Sequence, residues 1–336
     1  VAACLQSGLQ EEFLNVLDSS KFESHATVRK NAILLLSNLL LQGYIKWRGL
    51  LIHRFFATLI DPNDEVANLS ELTLGGILLS RFPNLFCSNF VESIFVFNDC
   101  KAHPIYAAIG TTVSSGTGGW VDFSGIDLTG STKRDLRFLI YNFMLSRMSD
   151  EQKIGVTARL AKEVLAAALE TEGDLSQVCT KLPSAEARTK DDDKKRETAM
   201  MVLQDTFTIL TSPNLHIGKT TNQQDDPDES FNNSTQSQVT AVKGKLLSKI
   251  SEKHLIEHTL PVLCSLRSVL QENRSPLLQN LMEYMVFIFR TYRNEAKDVL
   301  ANDPVLLQEL EYDAKCQMRA EKESHKTPNE RRPNKS

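Results

Sequence analysis

The chain has 336 residues, of which 41% are hydrophobic and 24% are charged. These proportions are close to ordinary globular usage, and the length predicts about two domains or one elongated array. The net charge of −4 excludes a general affinity for nucleic acid, so any such contact requires a local basic patch.

The six cysteines are scattered along the chain, and none forms a Cys-x-x-Cys pair. A chain of this size does not need disulfide bonds, so we expect reduced, mostly buried thiols in a cytosolic or nuclear protein. The chain begins with Val1 and has no basic segment before an apolar core. We therefore expect it to be a fragment.

The first strong pattern is an apolar stretch from Ala32 to Leu41. Its ten residues are too few for a membrane span, which needs about 20. In a helix, one face collects Val28, Ala32, Leu35, Leu36 and Leu39, while other apolar residues intrude on the opposite side. A helix that is apolar over most of its circumference must be covered on more than one side, which predicts a layer inside a helical stack.

A second helical unit follows with the same organisation. A short helix over Leu50–Ile60 is expected to end at the turn Asp61–Asp64, whose side chains can cap the next helix. Val28 and Val66 occupy matching places 38 residues apart. Helix–turn–helix units that repeat near 40 residues are typical of HEAT and armadillo solenoids. The side chains expected to be buried between layers are Leu35, Leu39, Phe55, Leu59, Leu69 and Ile77.

The whole sequence predicts an all-α protein, a HEAT/armadillo-like α-solenoid with disordered loop insertions, because no strand alternation is found. Further helices are expected over Asn84–Phe97, Lys133–Ser146, Glu151–Glu170, Glu197–Leu210, Leu246–Gln271 with a break near Pro261, and Pro276–Leu300. The predicted organisation is HEAT repeats at 1–108, a glycine-rich loop insertion at 109–132, helical repeats with a charged interruption at 133–211, a disordered linker at 212–240, C-terminal helical repeats at 241–312 and a charged tail at 313–336.

One stretch has an unusual charge pattern. From Ser24 to Ile60 there are 37 residues without an aspartate or glutamate. Tyr44 and Trp47 lie there among five basic residues, Arg29, Lys30, Lys46, Arg48 and Arg54. Two interpretations explain this pattern about equally well. The basic residues form either a solvated rim of the solenoid or a patch that binds DNA phosphates or an acidic partner segment.

Three patterns resemble catalytic or ligand sites without completing one. The glycines of Gly116–Gly119 lack the Lys-Ser/Thr that a phosphate loop requires. His254 and His258 have the spacing of a helical metal site, but no third ligand is evident. The carboxylates of Asp61–Glu65 precede a helix, where such groups usually act as caps. We therefore predict no enzyme, no cofactor and no metal site.

The ordered series of segments resembles a known family. The segment VRKNAILLLSNLLLQGYIKWRGLLIHRFFATLIDPNDEVANLSELTL is similar to the HEAT region of the D-type subunits of condensin. The condensin II branch is indicated by NLFCSNFVESIFVFND, STKRDLRFLIYNFMLSRMSDEQKI, LIEHTLPVLCSLRSVLQENRSPLLQNLMEYMVFIFRTYRNEAKDVL and ELEYDAK. The similarity covers most of residues 25–315. The chain departs from the family in its glycine-rich insertion and lacks the long N-terminal solenoid and most of the C-terminal tail.

The resemblance implies a non-catalytic scaffold of the condensin II complex that acts in mitotic chromosome condensation. The implied partners are the kleisin, a second HEAT subunit, the SMC pair that hydrolyses ATP, and chromatin, with no membrane and no small-molecule substrate. The implied location is the nucleus and the chromosome. The alternative is another HEAT-repeat adaptor, in nuclear transport or as a phosphatase scaffold. An enzyme or nucleotide-binding protein is a further hypothesis, which ATP binding by the isolated chain would support.

Overall fold

The computed structural model describes residues 25–47, 51–103, 128–170, 174–179, 189–215, 236–301 and 303–324. Every regular element within these ranges is a helix and none is a strand, so the all-α prediction is confirmed. The chain divides into two compact units, the first formed by residues 1–206 and 213–217 and the second by residues 207–212 and 218–336.

The first unit is built from successive helices. In chain order they are α1 (Ala26–Leu41), α2 (Leu51–Ala57), α3 (Asp64–Leu72), α4 (Leu85–Phe97), α5 (Arg134–Ser146), α6 (Asp150–Leu160) and the part of α7 (Lys190–Thr211) that precedes residue 207. Several continue into tighter or wider turns: α2 into the 3₁₀ turn Thr58–Ile60, α3 into the π turn Thr73–Leu78 and then Leu79–Arg81, and α6 into the π turn Ala161–Ala166 and the 3₁₀ turn Ala167–Leu169. Two short 3₁₀ segments lie at Ser131–Lys133 and Asp174–Val178.

The second unit contains α8 (Gln236–His254), α9 (Leu260–Glu272), α10 (Leu277–Thr291), α11 (Arg293–Leu300) and α12 (Pro304–Ser324). A π turn, Leu255–Thr259, joins α8 to α9. The break predicted near Pro261 therefore takes the form of a π turn within a continuous helical segment. This turn lies just before Pro261, whose ring and missing N–H would disturb a regular helix.

The packing within each unit follows the predicted helical repeat. In the first unit, α1 and α3 begin at Ala26 and Asp64, which lie 38 residues apart. Helix α1 packs against α3, and α4 packs against both α5 and α6. The core of this unit is rich in phenylalanine, including Phe55, Phe56, Phe86, Phe90, Phe95 and Phe97. In the second unit, α10 packs against both α9 and α12.

The buried face of α1 only partly coincides with the face that the sequence predicted. Val28 and Leu35 are exposed by 45% and 51%, and Leu39 is half-buried. Ala32 and Leu36 of the predicted face are buried, and the other buried side chains of α1 are Arg29, Ile33, Ser37 and Leu40. Arg29 lies on the buried side of α1, where its ion pair with Asp61, in the turn before α3, stabilises this orientation of the helix.

The other positions expected to be buried have mixed outcomes. Phe55 is fully buried, as predicted, whereas Leu59 and Leu69 are half-buried. Ile77 is 44% exposed, so its predicted burial is wrong. It lies in the π turn Thr73–Leu78, which has more residues per turn than an α-helix and shifts later side chains off the periodic face.

The charged run at 190–196 is not an interruption, because it forms the first turns of α7. Thr189 caps this end: its Oγ1 accepts from the backbone N–H of Asp192 at 3.2 Å. The Asp192 carboxylate accepts in turn from the backbone N–H of Thr189 at 3.4 Å. Three aspartates in the first turn also suit the positive end of the helix dipole.

Two further boundaries differ from the predicted organisation. Helix α8 begins at Gln236, inside the expected linker at 212–240, and α12 extends through Ser324, inside the expected tail at 313–336. The buried side chains of Leu306, Leu310 and Ala314 recur every four residues and hold α12 in place. The rest of the predicted loops and tail, at 109–127, 216–235 and 325–336, lies outside the described residues.

Candidate functional site

The basic stretch predicted as an interaction patch is partly internal. Arg29 on α1 forms a bidentate ion pair with Asp61, in the turn before α3, with Nε–Oδ2 and Nη2–Oδ1 distances of 2.7 and 2.8 Å. Only 9% and 3% of the two side chains are exposed. The hydrogen bond from Arg29 to Asp61 raises the pKa of the guanidinium. This pair ties α1 to the next helical unit, so Arg29 is a packing residue.

The other basic residues of the stretch lie in different environments. Lys30 pairs with Glu65 at the protein surface, and the hydrogen bond from Lys30 lowers the pKa of that carboxyl. Arg54 on α2 is buried, with 7% of the residue exposed. Lys46 is exposed, and Arg48 lies outside the described residues.

These positions correct the expected five-residue patch. Two of its arginines are buried, and a buried guanidinium cannot reach a phosphate backbone. The acid-free run was a property of the sequence only, because the carboxylates that neutralise Arg29 and Lys30 come from the following helical unit. Trp47 also packs inward, with its ring centroid 6.0 Å from Phe55 and 6.2 Å from Phe82.

A buried ionic cluster that the sequence did not suggest lies at Asp205 on α7. The Arg137 side chain on α5 donates to it through Nε at 2.8 Å and Nη2 at 3.2 Å. Asn98, at the end of α4, donates through Nδ2 at 3.0 Å. The Arg134 Nε lies 3.6 Å from the second Asp205 oxygen. This cluster, which we call the Asp205 clamp, joins three helices.

The Asp205 clamp also holds the backbone that returns from the glycine-rich insertion. The Nη1 of Arg137 donates to the carbonyl oxygens of Leu128 and Gly130 at 2.7 and 2.8 Å. Gly130 has a φ of +90°, which favours glycine at this position. Burial, together with the negative charge of Asp205, raises the pKa of the neighbouring Tyr141 hydroxyl well above its ordinary value. Both carboxylate oxygens are engaged by cations or amides, which indicates a structural role.

A second polar cluster connects α4 to α6. Arg159 donates to Glu92 through Nη2 at 2.8 Å and to Glu163 through Nε at 2.8 Å. His103 Nε2 lies 3.1 Å from Glu163. Burial acts to raise the pKa of Glu163, but the hydrogen bonds from Arg159 and His103 outweigh it and lower the pKa. The cluster is a network of compensated charges between two packed helices.

The described residues contain neither a complete metal-ligand set nor a helix that could span a membrane. The His254 and His258 rings lie 5.3 Å apart, and burial followed by the nearby His258 lowers the pKa of His254. No group of three or more metal-binding side chains occurs among the described residues. Within the same ranges, no helix combines the length and the apolar character that a bilayer crossing demands.

Comparison with known proteins places these helical repeats in a family. A family model described as condensin-2 complex subunit D3-like HEAT repeats matches residues 213–327, and one described as non-SMC mitotic condensation complex subunit 1 matches residues 4–166. The condensin-2 complex subunit D3 of Mus musculus is 32% identical over 87% of this chain. This chain belongs to the condensin-2 subunit D3 family. The predicted resemblance and the predicted HEAT-repeat fold are therefore confirmed.

Two more D3 relatives show the same extent of similarity. Condensin-2 complex subunit D3-L of Xenopus laevis is 30% identical over 86% of this chain, and condensin-2 complex subunit CAP-D3 of Arabidopsis thaliana is 30% identical over 85%. The chain spans only 18% of the mouse and frog D3 proteins and 20% of the plant protein. No solved structure matches the chain significantly.

Proposed function

We propose that this chain is a non-catalytic HEAT-repeat scaffold of the condensin II complex, which binds the kleisin and chromatin during mitotic chromosome condensation. The observation that carries the proposal is the 32% identity with mouse condensin-2 complex subunit D3 over 87% of the chain. The proposed partners are the kleisin, the second HEAT subunit and the SMC ATPase pair. The proposed location is the nucleus, on the chromosome.

The buried polar clusters support a scaffold rather than an enzyme. In the Asp205 clamp, the side chains of Asp205 and Arg137 are paired with each other and are each only 1% exposed. The carboxylates at Asp61 and Glu163 are likewise paired with arginine. Stacked helical layers joined by buried ion pairs are suited to presenting an extended surface to other proteins, as in other repeat proteins.

Affinity purification from mitotic cells tests this proposal. The tagged chain is expressed at low level, and the proteins that co-purify are quantified by mass spectrometry against cells that express the tag alone. We expect enrichment of the condensin II kleisin and the SMC pair. Enrichment of a phosphatase catalytic subunit or of nuclear transport factors, without the kleisin, would favour the alternative HEAT adaptor. Binding of labelled ATP by the purified chain would contradict the non-catalytic assignment.

For chromatin contact, we propose Lys30, Lys46 and Arg48, the basic residues of the stretch that remain once the two buried arginines, Arg29 and Arg54, are set aside. The triple variant with Gln at these positions is titrated with duplex DNA at several salt concentrations. Each phosphate contact that is lost should reduce the salt slope by about one unit. Lys153→Gln on α6 serves as a control for a lysine outside the stretch. An unchanged affinity and slope would leave these residues as a solvated rim.

A further inference from the structure

The outer face of α8 carries a row of exposed apolar side chains. Val242, Leu246 and Ile250 are 66%, 58% and 48% exposed. They are spaced four residues apart, so they lie on one side of the helix. We call these three side chains the α8 stripe.

The α8 stripe is not buried against any other helix in the described part of the chain. None of the side chains described from Val242 to Ile250 is buried. By contrast, α9 buries Leu260, Leu263, Leu266 and Leu270 completely. An apolar face that stays exposed along two turns of a helix is characteristic of an interaction site.

The charges around the α8 stripe define what can cover it. Helix α8 carries four exposed lysines against one half-buried glutamate, namely Lys243, Lys245, Lys249 and Lys253 against Glu252. At 3.6 residues per turn, Lys243 and Lys249 flank the α8 stripe on opposite sides, and Lys253 extends it towards the C-terminus. Lys253 also lies 3.8 Å from Glu257 at the surface. The face therefore combines an apolar centre with a positive rim.

We propose that the outer face of α8 binds an acidic amphipathic helix of another protein. Apolar side chains spaced three or four residues apart would cover the α8 stripe, and aspartates or glutamates beside them would meet Lys243 and Lys249. Duplex DNA would use the lysines but leave the three apolar side chains uncovered. A second copy of α8 would bring like charges together. The inference uses α8 alone and holds whether or not the chain acts in condensin II.

Selection from a random display library of 16-residue peptides tests this inference on the full chain. We expect the enriched peptides to carry apolar residues with helical spacing and an excess of aspartate and glutamate. Their binding should weaken at least about tenfold with Leu246→Gln or Ile250→Gln, and also with Lys243→Gln combined with Lys249→Gln. Leu139→Gln on α5 is the matched control, since Leu139 is 61% exposed and lies in the other unit.

Several outcomes would overturn the proposal. One is enrichment of peptides without an acidic excess, and another is binding that the α8 variants leave unchanged. Binding of a 20-base-pair duplex that depends on Lys243 and Lys249 but not on Leu246 would assign the face to nucleic acid. A dimer of the chain that Leu246→Gln dissociates would assign it to a second copy. If enriched peptides bound only after Asp225, Asp226, Asp228 and Glu229 were changed to amides, the occupant would be the chain's own acidic segment.

Discussion

The Asp205 carboxylate is the shared partner of the polar side chains in the Asp205 clamp. The side chains of Asp205 and Arg137 are each 1% exposed. Asp205→Asn keeps the shape but leaves the Arg137 guanidinium buried without its negative partner. Removing one member of a buried ion pair typically costs about 3–5 kcal/mol. We expect a loss of that size in the free energy of unfolding of the first unit, measured by urea denaturation.

The control for this substitution is Asp135→Asn on α5, because Asp135 is exposed in the first turn of the helix. Its loss should cost about 0.3–1 kcal/mol through the helix dipole. Similar losses for Asp135→Asn and Asp205→Asn would show that the clamp does not stabilise the fold.

Arg29 and Lys30 are adjacent in sequence but differ in environment, so their substitutions should have different effects on the free energy of unfolding. Arg29→Gln leaves the nearly buried Asp61 carboxylate without its bidentate donor, and an unsatisfied buried acceptor costs about 1–3 kcal/mol. Lys30→Gln should leave the free energy of unfolding nearly unchanged, because its pair with Glu65 is exposed to solvent. Chemical denaturation of the two variants checks this order, and equal effects would argue against a packing role for Arg29.

His53 on α2 should make stability depend on pH. Burial, with a smaller contribution from His103, lowers its pKa to about 3. Because the folded protein keeps this histidine neutral while the unfolded chain protonates near pH 6.5, stability is present above pH 6.5 and falls below it. From pH 6.5 to pH 5, this residue alone should remove about 2 kcal/mol. The pH dependence of unfolding should be shallower in His53→Phe, and an identical slope would contradict the burial of an uncharged His53.

At the scale of the element, the orientation of α1 can be tested by two neighbouring leucines. Leu36 is completely buried and Leu35 is 51% exposed. Leu36→Ala should therefore destabilise the protein by about 2–5 kcal/mol, and Leu35→Ala should stay within about 0.5 kcal/mol. Urea denaturation compares them directly. A larger loss of stability in Leu35→Ala than in Leu36→Ala would support the predicted orientation, in which Val28, Leu35 and Leu39 face the core.

The sequence predicted which segments are helical better than it predicted how they are oriented. The apolar period was sufficient for α4 and α5, whose bounds differ from the prediction by only one residue at their N-terminal ends. It failed where a partner distant in sequence or a local change of helix type affects the packing. Arg29 is buried and pairs with Asp61, and Ile77 lies in the π turn that follows α3. Neither effect leaves a periodic signal in the helix that it changes.

The sequence also did not predict the Asp205 clamp or the α8 stripe, because a local periodic pattern does not specify distant contacts or exposure. The Asp205 clamp joins residues that are 68 and 107 positions apart, so no local motif marks it. The α8 stripe does have a local pattern, but a stripe of this kind predicts burial as readily as exposure. Only the accessibility of Val242 and Leu246 identifies it as a surface.

At the scale of the whole molecule, the division into two compact units predicts more than one unfolding transition. Leu36 lies in the core of the first unit and Leu281 in the core of the second, and both are completely buried. By differential scanning calorimetry, we expect Leu36→Ala to lower the temperature of one transition and Leu281→Ala to lower that of the other. A single transition that both substitutions lower equally would show that the units unfold together.

The Asp205 clamp also has a practical consequence for following the protein in cells. Asn98 precedes the glycine-rich insertion, Leu128 and Gly130 lie at its C-terminal end, and all three are tied to Asp205 either directly or through Arg137. Because the two ends are fixed together, each doubling of the length of the intervening chain should cost only about 0.6 kcal/mol of closure entropy, so even a long insertion costs little. A fluorescent protein inserted between residues 115 and 120 should therefore leave the helical repeats intact. Such a fusion would make the chain visible by light microscopy in dividing cells with both of its termini unmodified.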